Sequence, residues 1–139
     1  MKNDASISTI MTKDIITLSK EDDLEKAELL FKRHKIRHIP VVKEDAVIGM
    51  LSYTDLLRIS FADAVDETET EVDSLVYNMF SIHQVMVKNV VTVSSDCTIK
   101  EVAKILAKKE FHALPVVDNG SIVGIVTTTD LINYLIKLL

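Results

Sequence analysis

The chain is poor in the groups from which most small-protein chemistry is built. It has one cysteine in 139 residues, Cys97. A lone cysteine forms no internal disulfide and fits a reducing, cytoplasmic location. Cys97 has no CxxC partner. His34 and His38 are four apart, but Pro40 disrupts helix there, so no pair of residues has dependable metal spacing and no metal is expected. There is no P-loop, GxGxxG, GxSxG or HExxH, and the chain is expected not to be an enzyme. No apolar run is long enough to span a bilayer, and the first residues lack the basic start and apolar stretch of a signal peptide. A basic face is missing as well. The formal charge is −5, and segment 62–73 supplies six carboxylates with no Lys or Arg, which leaves the remainder at +1. That balance argues against binding to nucleic acid. At 47% hydrophobic residues, the chain is nevertheless too apolar for disorder.

The scarce residues it does have fall in register. Its two prolines, Pro40 and Pro115, are 75 residues apart, and so are Gly49 and Gly124 and Asp55 and Asp130. MTKDIITLS (Met11 to Ser19) aligns with MVKNVVTVS (Met86 to Ser94), HIPVV with ALPVV, and GMLSYTDLL with GIVTTTDLI, without a gap. One small fold has been made twice with its turns kept. Each copy of about 50 residues is marginal alone, so the copies are expected to pack on each other. The division is residues 7–61 for repeat 1, 62–80 for an acidic linker and helix, and 81–139 for repeat 2.

Each repeat reads strand, helix, strand, strand, helix, an α/β (α+β) pattern. The first strands are Ile15 to Leu18 and Val90 to Val93. Ser19 and Asp22 resemble a capping box. Leu24, Ala27, Leu30 and Phe31, and in the second copy Ile99, Val102, Ala103 and Leu106, form apolar stripes at helical spacing. Both helices must end before the proline segment. Two short strands follow, joined by Glu44-Asp45 in one copy and Asp118-Asn119-Gly120 in the other. Gly49 and Gly124 lie inside strands, where glycine marks a bulge or a close approach. Segment 62–73 is expected to be mobile, with a helix over Val72–Phe80 after it. Leu56, Leu57, Leu131, Ile132, Leu135 and the apolar run Tyr134–Leu139 need covering and could supply a dimer surface.

What could carry chemistry is the repeated turn Gly-x-x-[Ser/Thr]-x-Thr-Asp. Hydroxyls of Ser52, Thr54, Thr127 and Thr129, with helix N–H groups beside them, can hold an anion. Asp55 and Asp130 are unsuited to phosphate but suited to a pair of sugar hydroxyls, so the combination reads as a nucleotide site. The same residues also serve as ordinary helix caps.

The ordered set, Met-x-x-x-[Ile/Val]-[Ile/Val]-Thr, a helix, [Ile/Leu]-Pro-Val-Val, then Gly-x-x-[Ser/Thr]-x-x-Asp-Leu, resembles the cystathionine-β-synthase (CBS) domain. Two in tandem resemble a Bateman module. The resemblance implies β-α-β-β-α repeats packed through their sheets, with clefts for AMP, ADP, ATP or S-adenosylmethionine and no other cofactor. It implies a ligand sensor acting on a regulated partner, often as a homodimer. Carried over by position, it places Asp55 and Asp130 on ribose and Ser52, Thr54, Thr127 and Thr129 near phosphate. Asp14, Ile15, Asn89 and Val90 fall around the base. Arg37 and His38, and His112, Ala113 and Leu114, fall at the segment before and at the proline, where some members place basic phosphate ligands. Ala113 departs from that pattern. Arg37 can equally be a solvated helix end and His112 a half-buried polar residue. A structural dimerisation module with empty clefts is the alternative function.

Overall fold

The computed structural model describes residues 5–63, 79–109 and 111–139. They form two compact units: Ile16–Val90, and the described residues up to Ile15 together with Val91–Leu139. The packing units therefore group residues differently from the copied segments. Each unit joins most of one repeat to the opening stretch of the other.

In the unit Ile16–Val90, helix α1 (Leu24–His34) is capped by Asp23, whose Oδ1 accepts from Lys26 N–H at 2.8 Å. The expected Ser19–Asp22 capping box closes a turn one step earlier: Ser19 N–H donates to Asp22 Oδ2 at 2.8 Å. Asp23 takes the cap itself because it has the extended backbone that position needs, φ −100° and ψ 168°. Leu24, Ala27 and Phe31 are buried along one face. Lys35 in left-handed geometry, φ 54°, ends the helix ahead of the proline segment.

Strand β1 (His38–Lys43) pairs antiparallel with β2 (Ala46–Ser52), with a bulge between Val41 and Val42. Both turn residues, Glu44 and Asp45, have positive φ, 50° and 71°, the pattern of a two-residue hairpin that follows strand twist. Helix α2 (Tyr53–Asp63) follows. It takes in the first two residues of the acidic segment; the rest of that segment and most of the expected linker helix lie outside the described residues. A short helix, α3 (Ile82–Val85), carries a Ser81–Gln84 capping box. The core is Leu18, Leu24, Ala27, Phe31, Ile39, Val41, Leu51 and Leu56, closed by Ile82 and Met86. Leu56 is thus a core residue and offers nothing to a dimer surface.

The other unit repeats the plan. Helix α4 (Ile99–Lys109) starts in a reciprocal Thr98–Glu101 cap. Strands β3 (Ala113–Asp118) and β4 (Ser121–Thr127) pair with a bulge between Val116 and Val117, around Asn119 and Gly120 with φ 52° and 82°. Helix α5 (Thr128–Leu138) ends the chain. Here the core of Val93, Ile99, Val102, Leu106, Leu114, Val116 and Val126 is closed by Ile7 from the N-terminal segment, with Leu131 packed against it.

The expected first strands shrink to single parallel bridges, Leu18 to Val41 and Val93 to Val116. Leu18 N–H donates to Pro40 O at 3.0 Å and Val42 N–H to Leu18 O at 2.8 Å. Two residues earlier, the next parallel rung would need an N–H from Pro40, which proline does not have. Pro115 stops the second copy in the same way. No described helix is long and apolar enough to cross a membrane.

Candidate functional site

Strand register and one backbone bond assemble the same constellation in each unit. His38 is the Cα partner of Ser52, and Ala113 that of Thr127. Tyr53 N–H donates to Arg37 O at 2.8 Å and Thr128 N–H to His112 O at 2.9 Å. The segment before the proline is thereby tied to the first residue of the helix that carries the Asp. Arg37 and His112 are exposed and His38 is half-buried.

The turns are helix caps, and the caps differ. Thr127 Oγ1 accepts from Asp130 N–H at 3.1 Å, and Asp130 Oδ2 accepts from Thr127 N–H at 2.9 Å, a complete capping box. In the twin, Ser52 Oγ accepts from Asp55 N–H at 3.0 Å, while Asp55 Oδ1 pairs with Arg58 at 3.2 Å. No motif in the sequence points to Arg58. It stands three residues past Asp55 on one helix, a spacing that brings side chains together; its counterpart in repeat 2 is Asn133. Capping leaves Asp130 Oδ1 outside any hydrogen bond among the described residues. Cap and ligand contact are therefore compatible roles. Thr54 and Thr129 are exposed on the first turns of their helices.

The exchange of segments decides which of the residues expected around the base share a unit with which turn. Asp14 and Ile15 belong with Thr127, Thr129 and Asp130; Asn89 and Val90 belong with Ser52, Thr54 and Asp55. Asp14 and Asn89 are exposed, and Ile15 and Val90 half-buried. Asn89 is left-handed, φ 57°. Ala113 and Leu114 are 8% and 1% exposed, so Leu114 has its side chain in the core and only its backbone to offer. The shifted carboxyls lie elsewhere. Asp118 is held below the usual aspartate range by the Ser95 hydroxyl and N–H, at 2.6 and 3.0 Å. Among the described residues no His, Cys, Asp and Glu cluster could hold a metal ion.

The sequence profile of the CBS domain matches residues 7–62 and 82–137. The chain belongs to the CBS domain family. Inosine-5′-monophosphate dehydrogenase of Thermoplasma acidophilum is 32% identical over 125 residues, 89% of this chain and 22% of that enzyme. Protein MJ1225 of Methanocaldococcus jannaschii is a relative in sequence, of which the chain covers 46%. Its crystal structure superposes with a TM-score of 0.82 at 26% identity, over 97% of this chain and 49% of that one. The CBS domain pair of protein MJ0100, solved with 5′-methylthioadenosine and S-adenosyl-L-methionine, gives a TM-score of 0.78 at 26% identity, over 97% and 98% of the two chains. The chain thus spans less than half of the first two proteins and nearly all of the third.

Proposed function

We propose that this CBS pair is a non-catalytic regulatory module that binds adenosine-containing ligands and signals to a partner protein in the cytoplasm. The observation that carries the reading is the doubled turn. A hydroxyl, the N–H groups of a helix start and a carboxylate converge beside Arg37-His38 in one unit and beside His112 in the other. The hydroxyls of Ser52, Thr54, Thr127 and Thr129, at the positive end of a helix dipole, suit phosphate or another anionic group; Asp55 and Asp130 suit paired ribose hydroxyls, as strong charged acceptors. Support also comes from protein MJ0100, which was solved with two adenosine derivatives. Arg37 and Arg58 give the first turn two guanidinium groups, and the unit that holds the second turn contains no arginine. The first site therefore suits a polyphosphate such as ATP, and the second a ligand of lower charge.

Thermal shift and calorimetry with AMP, ADP, ATP, S-adenosylmethionine and 5′-methylthioadenosine test this. At a hundredfold excess over Kd, a native-state ligand stabilises by about 2.7 kcal/mol. No heat and no shift at millimolar ligand would end the reading.

A second reading, a homodimerisation module, is favoured by one feature. Ile132, Leu135, Ile136 and Leu139 are 51%, 53%, 62% and 96% exposed, at the i, i+3, i+4, i+7 spacing of a single helical face. Light scattering at a mass near 15.6 kDa across micromolar to millimolar concentration would rule it out.

A further inference from the structure

The glycines inside β2 and β4 both lie under a methionine. A Cβ on Gly124 would stand 2.6 Å from Met11 Sδ and 3.0 Å from its Cγ, and one on Gly49 would stand 2.8 Å from Met86 Cγ and closer still to its Sδ. These separations are far inside van der Waals contact, so each thioether occupies the space that a side chain would fill. Each methionine belongs to the other repeat from the glycine it covers. Directly after it comes one backbone pairing: Thr12 N–H to Ile125 O at 2.8 Å and Ile125 N–H to Thr12 O at 3.0 Å, and Met50 N–H to Val87 O at 3.0 Å and Val87 N–H to Met50 O at 2.8 Å. The register is identical in both units. Two residues further on stand Asp14 in one and Asn89 in the other. Three residues past each glycine stand Thr127 and Ser52, the cap hydroxyls.

We infer that the Met11–Gly124 and Met86–Gly49 contacts are positioning contacts for the two ligand sites, an inference that rests on the function proposed above. Among the described residues the thioethers make no hydrogen bond, and they act only through the segments they seat. They set how closely Asp14-Ile15 is held to the strand ending in Thr127, and Asn89-Val90 to the strand ending in Ser52. A flexible thioether suits the shallow hollow over a glycine. A Cβ at 49 or 124 must displace the methionine that seats the segment, and at 124 it also stands 3.0 Å from the backbone oxygen of Thr12 on the seated segment itself.

Calorimetry with S-adenosylmethionine and AMP provides the test, with Asp55→Ala and Asp130→Ala used to assign each binding event to a unit. Gly124→Ala should weaken the event lost in Asp130→Ala at least tenfold and leave the other within twofold. Gly49→Ala should do the reverse. Around Gly49 the three nearest atoms are all from Met86, so Gly49→Ala combined with Met86→Ala should bind more tightly than Gly49→Ala alone. If a glycine variant does not fold, Met86→Leu and Met11→Leu replace it. They conserve volume but put a branch over the glycine, and each should weaken its own site about threefold with its melting temperature kept. Folded glycine variants with unchanged affinity at their own sites would overturn the inference. Equal loss at both sites would overturn it too, because that is general destabilisation. A wild-type protein that takes up neither ligand overturns the function beneath it; binding in wild type with unaffected variants overturns this inference alone.

Discussion

Exchanging the two hairpin turns between repeats isolates backbone strain from contact. Glu44 and Asp45 occupy positive φ in β1–β2, where the twin positions are Asn119 and Gly120. A left-handed conformation costs an ordinary L-residue about 1–2 kcal/mol, less for Asp and Asn. Placing Gly at 45 also adds unfolded-state entropy, about 0.5–1 kcal/mol against the gain. Glu44→Asn with Asp45→Gly should therefore stabilise its unit by about 1 kcal/mol, a rise of roughly 3–6 °C in melting temperature. The converse pair, Asn119→Glu with Gly120→Asp, should cost about 1–2 kcal/mol. Space does not enter, since a Cβ on Gly120 meets nothing within 4 Å. Urea melts followed by a probe in each unit would read the change. The reasoning is refuted if the Asn-Gly graft lowers stability, or if Gly120→Ala leaves it unchanged.

The repeat order, the apolar stripes of α1 and α4, the hairpins and the capping turns were legible because each is local. Leu24, Ala27 and Phe31 declare a helix face by spacing, and Asn119-Gly120 declares a turn by conformational need. Gly49 and Gly124 were readable as close approaches, but not what approaches them. Met11 and Met86 pack across gaps of more than 100 and more than 30 residues, and no periodicity within a repeat reports contacts of that range. The missing strands had a readable cause that the pattern hid. Ile15 to Leu18 is apolar and β-branched like a strand, yet its partner has Pro40 where a donor is needed. Shift of the cap from Ser19 to Asp23 is the ordinary one-turn ambiguity of a run with several capping residues, Ser19 to Asp23. Leu56 and Leu57 show the limit of composition: adjacent leucines on one helix face opposite ways, 0% and 45% exposed.

Three more outcomes follow. Asp130→Ala should cost about 0.5–2 kcal/mol through its capping box. It should weaken ligand at its own turn by about 10- to 150-fold, the equivalent of losing a charged hydrogen bond; unchanged affinity in Asp55→Ala, Asp130→Ala and the double variant would leave Asp as a cap only. The Asp118 carboxyl, titrated by NMR, should have its midpoint below the usual aspartate range, and Ser95→Ala should raise it. A group depressed in this way adds stability above its unfolded pKa and loses it as pH falls through the folded one, so the Ser95→Ala protein should lose less stability on acidification. An unmoved midpoint in Ser95→Ala would refute the Ser95 hydroxyl as the cause. Finally, Ile7→Ala should destabilise the unit of repeat 2, not that of repeat 1. Ile7 is fully buried among Val93, Val102 and Leu114, and its N–H is bound to Cys97 O at 2.7 Å. An Ile→Ala truncation in a core costs about 2–5 kcal/mol. Hydrogen exchange should therefore quicken across β3 and β4, more than 100 residues away in sequence, while β1 and β2, far nearer in the chain, keep their protection. Faster exchange in β1 and β2 instead would mean that the N-terminal segment packs within its own repeat, and the exchange of segments would be wrong.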